Sequence, residues 1–207
     1  MVTSRHIIFP GRFQPISNAH IARLEWLLNN YLASTITIVI GDTGDLNKIN
    51  FLTVEERVQI FTAIIREYAW SRIKLAIVQG CADGIEWAER IKVAVPEADA
   101  VASDNPFILE PLKAAGFTTI TYERSGVDCS CIRKKKFANW MKYIPQLEWD
   151  MLCRMSIEGR MLNLPIGIRY PFRTVANHCN RLSLIGEVVE AVKCGISATR
   201  VAKDNAE

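Results

Sequence analysis

The apolar residues of this chain follow two alternating patterns, short unbroken runs and longer stretches with apolar positions three or four residues apart. Short β-branched runs are typical of buried strands, and the wider spacing is typical of helices with one buried face. The short runs predict five strands, which cover residues 6–9, 35–40, 73–78, 98–103 and 118–123.

Helical spacing occupies the segments between these predicted strands. The first helix is predicted to begin with Asn18 as its cap. Its apolar face would consist of Ile21, Leu24, Leu27, Leu28 and Tyr31. Thr53 and Glu56 have the spacing of a capping box at the start of the second helix. Two further helices are predicted over residues 85–95 and 107–115.

This alternation of strands and helices predicts an α/β fold, a Rossmann-like doubly wound parallel sheet with helices on both faces. Ligands bind to such sheets in the crevice at the carboxyl ends of the strands. We therefore expect a site in the loops at that edge, which cover residues 10–20, 41–52, 79–87, 103–106 and 124–133.

The pattern changes after about residue 145. Residues 146–182 show no sustained period, and Pro165, Gly167 and Pro171 interrupt any long helix. A last helix is predicted over residues 184–192. The sequence thus predicts a Rossmann-like domain over residues 1–145. A divergent, mostly helical C-terminal extension over residues 146–207 would pack on it.

Composition narrows the class of protein. Hydrophobic residues make up 49% and charged residues 23% of the chain, and no apolar run is long enough to span a membrane. The six cysteines form no C-x-x-C pair, and there are only three histidines, which argues against a structural zinc site. We expect a soluble cytoplasmic protein with reduced thiols. A net charge of +3 suits anionic phosphates but does not by itself indicate nucleic-acid binding.

The loop after the first predicted strand has the residues of a phosphate site. It reads GRFQPISNAH over residues 11–20. Gly11 allows close backbone approach, and the following helix would direct amide groups and its positive end at an anion. Arg12 offers a planar set of donors, and His20 can donate to a phosphate. Without further motifs, a surface loop with a solvated Arg12 and an inward His20 would explain the same residues.

Further motifs occur in order along the chain. The blocks are GRFQP with His20, FLTVEER at 51–57, Asp83 with Glu86-Trp87, SDNP at 103–106 and CSCIRKKK at 129–136. This ordered set resembles the HxGH nucleotidyltransferases, in particular the nicotinamide-nucleotide adenylyltransferases of archaeal type. Residues 187–203 are also similar to the C-terminal helical end of that family.

The resemblance implies an enzyme that transfers AMP from ATP to nicotinamide mononucleotide (NMN), giving NAD and pyrophosphate. Its substrates would be ATP carrying Mg²⁺ and the mononucleotide, and it would form a homo-oligomer. The acceptor's 5′-phosphate would attack the α-phosphorus of ATP in line. Because that phosphate is already an anion, catalysis would need positioning and charge neutralisation rather than a general base.

The family's functional positions carry over residue by residue. The resemblance assigns catalysis to Arg12, His20 and Arg133. It assigns ATP binding to Gly11, Arg12, Phe13, Gln14, Pro15, Ser17, His20, Asp128, Ser130, Ile132 and Arg133. It assigns NMN binding to Trp87, Asp83, Asn105, Arg57 and Lys48. Trp87 would stack on the nicotinamide ring; the alternative is a tryptophan that only fills the core.

Several positions depart from the family pattern. Ser17 replaces the first histidine of HxGH and Ala19 its glycine, and Asp128 stands at a serine. Ile49 occupies the place of a basic residue, next to Lys48. These departures leave alternatives open. One is an adenylyl- or cytidylyltransferase with another acceptor, such as nicotinate mononucleotide or phosphopantetheine. Another is a nucleotide sensor of the same fold with weakened or lost catalysis.

Two other clusters have simpler interpretations. Residues 132–142 combine basic and aromatic side chains, which can track nucleic acid, but charge clusters are more often solvated helix faces. We favour a phosphate-facing Arg133 followed by a solvated face, and expect no nucleic-acid partner. Cys129 and Cys131 could form a redox or metal pair, but we favour small residues lining a phosphate turn.

Overall fold

The computed structural model describes residues 5–81, 83–122 and 126–166, and its centre is a five-stranded parallel sheet. The strands are β1 (His6–Gly11), β2 (Thr35–Asp42), β3 (Ile73–Gln79), β4 (Ala100–Ala102) and β5 (Thr118–Ile120). Their order is β3-β2-β1-β4-β5, and every neighbouring pair is parallel. The predicted doubly wound α/β fold is therefore confirmed.

The chain reverses its direction of winding between β1 and β4, so a crevice opens at their carboxyl ends. The strand bounds differ from the prediction at this edge. β1 continues through Pro10 to Gly11, because β2 runs beside it and pairs Gly11 with Ile40. β4 and β5 are shorter than predicted, with three residues each.

Helices cover both faces of the sheet. They are α1 (Asn18–Asn30), α2 (Val54–Glu67), α3 (Gly84–Ala94), α4 (Pro106–Ala114), α5 (Cys129–Arg133), α6 (Gln146–Arg154) and α7 (Ile157–Asn163), with a 3-10 helix over Phe137–Lys142. The cap of α1 is Ser17, one residue before the predicted Asn18. The capping box of Thr53 and Glu56 at α2 is confirmed.

Side-chain alternation along the strands divides the core into two layers. Ile7 and Phe9 of β1 face the larger layer with α1 and α2, and Ile8 faces the smaller layer with α3 and α4. Each such isoleucine, fully withdrawn from water, contributes about 1.5–3 kcal/mol to folding. These two layers hold the sheet rigid beneath the loops at its carboxyl edge.

Residues 146–163 form two short helices, although their sequence shows no sustained period. Leu152 and Ile157 are fully buried in the larger core layer. Arg160 of α7 donates to the Glu56 carboxylate of α2 at 2.7 Å. The limits of a separate extension over 146–207 stay a prediction, and the predicted helix at 184–192 and the similarity at 187–203 lie outside the described residues. In the described part of the chain, no helix is long and apolar enough to cross a membrane.

Candidate active site

A cavity of about 480 Å³ opens at the carboxyl edge of the sheet. Its size is within the range of small-molecule sites. The predicted site residues that line it are Gly11, Arg12, Phe13, His20, Trp87, Asn105 and Asp128. The topology therefore brings the loop after β1, the start of α3, the turn before α4 and the start of α5 to one concave surface.

The remaining predicted residues do not line this cavity. They are Gln14, Pro15, Ser17, Lys48, Arg57, Asp83, Ser130, Ile132 and Arg133. Several hold the walls of the cavity in place from behind, and their assigned roles as ligands stay predictions.

The loop between β1 and α1 is bonded to its surroundings at almost every residue. The Gln14 amide makes two hydrogen bonds to the Leu52 backbone, at 2.8 and 2.9 Å. Arg133 donates to the Gln14 carbonyl, and the Cys129 thiol donates to the Pro15 carbonyl at 3.2 Å. Such a loop is held in one conformation before any ligand binds, as electrostatic catalysis requires.

Gly11 and Phe13 explain each other's place in this loop. The backbone of Phe13 has φ of 51°, which turns its ring back over Gly11. A Cβ atom on Gly11 would lie 2.8 Å from that ring, so a larger residue at this position would force the Phe13 ring to shift. The Phe13 ring also packs edge-on against Phe61 and His20, with centroids 4.8 and 5.2 Å apart.

His20 is held as a hydrogen-bond donor toward the cavity. Its Nδ1 accepts the backbone N–H of Ser17 at 2.9 Å, so the neutral ring carries its proton on Nε2. Burial, with a smaller contribution from Arg23, lowers the pKa of His20 to about 4. At neutral pH the ring is therefore an uncharged Nε2–H donor.

Ser17 does not line the cavity, where a phosphate ligand would lie. Its side chain is buried beside His20, with its hydroxyl 3.1 Å from Nδ1 and accepting the His20 backbone N–H at 3.4 Å. Ser17 is thus the N-cap of α1 and fixes the imidazole.

Ala19, the neighbouring departure from the family pattern, is accommodated by a glycine. Gly126 has φ of 82°, and a Cβ atom on it would lie 2.8 Å from the Ala19 methyl group.

Arg57 lies beneath the cavity, with 1% of its surface exposed. Its guanidinium donates to the carbonyls of Arg12 at 2.9 Å, Gly41 at 2.7 Å and Thr53 at 3.1 Å. Burial lowers its pKa to about 10, so it stays charged at neutral pH. Arg57 therefore ties the end of β1 to the end of β2.

The start of α5 forms another wall. Asp128 and Cys129 line the cavity there, and burial raises the pKa of the Cys129 thiol to about 11. This thiol is thus a weak donor in the wall rather than a reactive thiolate. Ile132 points the other way and is fully buried in the larger core layer. Ser130 is half-buried one residue before the exposed Cys131.

The opposite wall contains the predicted acceptor residues. Trp87 has 6% of its surface exposed; it packs in the smaller core layer and also lines the cavity. Asn105 lines the cavity too, and its side-chain oxygen caps α4 through the Phe107 N–H. Asp83 is the exposed cap of α3, and Lys48 is bonded through its backbone N–H to the Pro165 carbonyl.

Two groups at the site were missed from the sequence. Arg23 of α1 forms an ion pair with Asp104 at 3.0 Å and lies over the Tyr122 ring at 4.8 Å. Asp104 and Tyr122 line the cavity. Arg23 follows His20 by three residues, and this spacing places the two side chains on the same face of a helix, which could have indicated that Arg23 is near the site. Glu148, which lies behind the loop after β1, gave no signal.

No group of three or more His, Cys, Asp or Glu residues within residues 5–81, 83–122 and 126–166 could hold a metal ion. The carboxylates that line the cavity are Asp42 at the end of β2, Asp104 in the turn before α4 and Asp128 at the start of α5.

Several known proteins that resemble this chain in sequence are named nicotinamide-nucleotide adenylyltransferases. No family model matches the chain. The nicotinamide-nucleotide adenylyltransferase of Sulfurisphaera tokodaii is 27% identical over 167 residues, which are 76% of this chain and 95% of that protein. The enzyme of the same name from Methanocorpusculum labreanum is 28% identical over 150 residues, 69% of this chain and 86% of that protein.

Solved structures share the fold. A bifunctional NMN adenylyltransferase/ADP ribose pyrophosphatase from Francisella tularensis, complexed with AMP and a manganese ion, matches with a TM-score of 0.60 and 15% identity. The match covers 76% of this chain and 52% of that one, so the chain spans about half of that two-activity protein. Thermotoga maritima TmcAL, bound with alpha-thio ATP, has a TM-score of 0.56 and 11% identity over 75% of this chain and 57% of its own.

These findings agree with the motifs. The sheet has the fold of the nucleotidyltransferases. The resemblance to nicotinamide-nucleotide adenylyltransferases of archaeal type is confirmed by relatives whose similarity extends over most of their length.

Proposed function

We propose that this chain transfers AMP from ATP to NMN, releasing pyrophosphate and producing NAD. The observation that carries the proposal is the rigid loop after β1, whose His20 donor and Arg12 line one cavity with Trp87 and Asn105. The archaeal relatives named for this activity support it, because the similarity extends over almost the whole length of some of them.

The cavity has two chemically different sides for the two substrates. Gly11, Arg12 and His20 supply backbone space, a guanidinium and an imidazole donor, which suit the phosphates of ATP. The other side has the Trp87 indole, which suits a flat nicotinamide ring. The two substrates would then meet with the acceptor phosphate close to the α-phosphorus of ATP.

The proposed reaction is a single in-line displacement. An oxygen of the acceptor's 5′-phosphate forms a bond to the α-phosphorus while the bond to the bridging oxygen breaks, and pyrophosphate leaves with its electron pair. His20 donates a hydrogen bond from Nε2 to an oxygen that gains charge in the transition state. Arg12 supplies positive charge, and Arg133 holds the Gln14 carbonyl and so the loop.

The divalent ion is proposed to enter as part of the substrate. The described residues contain no cluster of ligands for a resident ion. Mg²⁺ on the triphosphate would screen the charge of the leaving pyrophosphate while keeping most of its own water ligands. We also propose that the protein is a homo-oligomer and acts in the cytoplasm. Light scattering of the purified protein measures its oligomeric state.

A second candidate function is a nucleotide sensor of the same fold. The observation that favours it is Ser17, which stands at the family's first histidine and is turned toward His20 instead of the cavity. A site with one charged donor fewer would bind nucleotides and stabilise the transition state less well.

One experiment separates these functions. The protein is incubated with ATP, Mg²⁺ and NMN, and NAD and pyrophosphate are measured; nicotinate mononucleotide is tested in parallel. We expect NAD and pyrophosphate in equal amounts, and a faster reaction with nicotinate mononucleotide would support that alternative acceptor instead. A His20→Gln variant is the control for a contaminating enzyme, because it should reduce the rate sharply while the protein stays folded. Nucleotide binding without either product would support the sensor instead.

A further inference from the structure

A buried carboxyl group from α6 supports the loop after β1. Glu148 has no exposed surface, and its Oε1 accepts the backbone N–H of Ile16 at 2.9 Å, across 132 residues of sequence. Its Oε2 has no hydrogen-bond partner among the residues that the structure describes. Burial raises the pKa of Glu148 well above its ordinary value.

The bonded amide stands next to the one that orients His20. Ile16 is fully buried, so water cannot replace Glu148 as the acceptor for its N–H. The next N–H along the backbone, that of Ser17, donates to His20 Nδ1 at 2.9 Å. Successive peptide planes share one Cα atom, so the direction of the Ser17 N–H depends on how the Ile16 residue is held.

The neighbouring contacts hold other atoms of the loop. The Cys129 thiol donates to the Pro15 carbonyl, which is the other polar group of the same peptide, and the Asn18 N–H donates to the Tyr143 carbonyl at 2.8 Å. Among the described residues, only Glu148 is bonded to the Ile16 amide. An apolar residue of similar size would leave that N–H unpaired in a dry interior, and the loop would shift to find another acceptor.

We propose that Glu148 is a positioning residue for the adenylyl transfer: by holding the Ile16 amide, it keeps the Ser17 N–H on His20 Nδ1 and so presents the Nε2–H to the cavity. The effect on catalysis rests on the proposed function, whereas the effect on the His20 ring does not. The role requires a hydrogen-bond acceptor at position 148. Glutamine should therefore replace glutamate, and leucine should not.

The test compares Glu148→Gln and Glu148→Leu with a control, Asp150→Asn, which changes the same kind of group at an exposed position of the same helix. For Glu148→Leu we expect kcat to fall about tenfold or more and the KM for NMN to change less than about twofold. Glu148→Gln and Asp150→Asn should stay within about threefold of the parent in both constants.

The second readout is the tautomer of His20, which does not depend on turnover. Long-range proton–nitrogen correlation spectra of the imidazole rings, assigned with His20→Gln, should show the Nε2–H form in the parent and in Glu148→Gln. In Glu148→Leu we expect a mixture of tautomers. Should Glu148→Leu fail to fold, Glu148→Asp replaces it, because it keeps the group but withdraws it from Ile16 by one methylene.

The outcomes are distinct. An unchanged kcat and an unchanged Nε2–H form in Glu148→Leu, or in Glu148→Asp where that replaces it, would overturn the proposal, as would an equal loss of kcat in Glu148→Gln. If the parent makes no NAD, the proposed function fails, but the tautomer spectra still decide the role of Glu148. A mixture of tautomers in Glu148→Leu and a single form in Glu148→Gln would then support it.

Discussion

Replacement of Arg57 by methionine tests whether this residue binds NMN or supports the fold beneath the cavity. Sequence resemblance assigns Arg57 to the NMN site, but its guanidinium is buried and bonded to the ends of β1 and β2. Arg57→Met keeps much of the aliphatic stem and removes the donors. The carbonyls of Arg12 and Gly41 then lose a charged partner, while the Thr53 carbonyl keeps the α2 helix bond from residue 57.

The expected loss of stability follows from those two carbonyls. A hydrogen bond to a charged group contributes about 1.5–3 kcal/mol, and a buried acceptor left without a partner costs about 1–3 kcal/mol. Removal of the buried charge offsets part of this, because its desolvation cost is also removed. We expect the free energy of unfolding of Arg57→Met to fall by about 3–5 kcal/mol.

Urea unfolding followed by circular dichroism measures this loss. Arg66→Met is the matched control, since Arg66 is exposed near the end of the same helix, and we expect it to change the free energy of unfolding by less than about 0.5 kcal/mol. The KM for NMN of folded Arg57→Met should rise together with the KM for ATP, because Arg57 supports the Arg12 loop. An unchanged free energy of unfolding with a raised KM for NMN alone would refute this reasoning and restore Arg57 as a ligand.

Three further predictions concern groups that line the cavity. His20 has a pKa of about 4 when folded and near 6.5 when unfolded, so its contribution to stability is present above 6.5 and is lost as the pH falls toward 4. Urea unfolding should show this loss, of about 2–3 kcal/mol, in the parent but not in His20→Gln; equal pH dependence of the two would contradict it. Gly11→Ala should raise the KM for ATP about tenfold or more, because the added methyl group meets the Phe13 ring. The control Gly159→Ala, whose methyl group meets no atom within 4 Å, should leave the KM for ATP unchanged. An equal KM for ATP in the two variants would refute the role of the loop after β1 in ATP binding. Trp87→Leu should raise the KM for NMN about tenfold and change the KM for ATP little. The control Trp26→Leu, at a half-exposed position outside the cavity, should change neither KM. An unaltered KM for NMN in Trp87→Leu would show that Trp87 is a core residue only.

Local chemistry accounts for what the sequence predicted well. β-branched runs favour strands and helical spacing favours helices, and both signals come from residues that are close together in sequence. Right-handed crossover connections then determine how the parallel strands follow one another. The loop at 11–20 was recognisable for the same reason, since Gly11, Arg12 and His20 stand close together in sequence at the end of a strand.

Long-range packing accounts for what the sequence could not indicate. Residues 146–163 lack a helical period, yet α6 and α7 form because Leu152 and Ile157 are buried against α2 and its surroundings. Tertiary structure likewise places the Arg57 guanidinium below the cavity, bonded to the Arg12 and Gly41 carbonyls, which no local pattern along the chain indicates.

The sequence by itself determined the α/β fold, the edge of the sheet where a ligand would bind and the loop that would hold phosphate. Only the tertiary structure decided which residues face the cavity and in what form. His20 is a neutral Nε2–H donor because Ser17 bonds its other nitrogen, and Glu148 reaches Ile16 from 132 residues away. The direction, burial and partner of a side chain depend on contacts between distant segments, and no spacing along the chain encodes them.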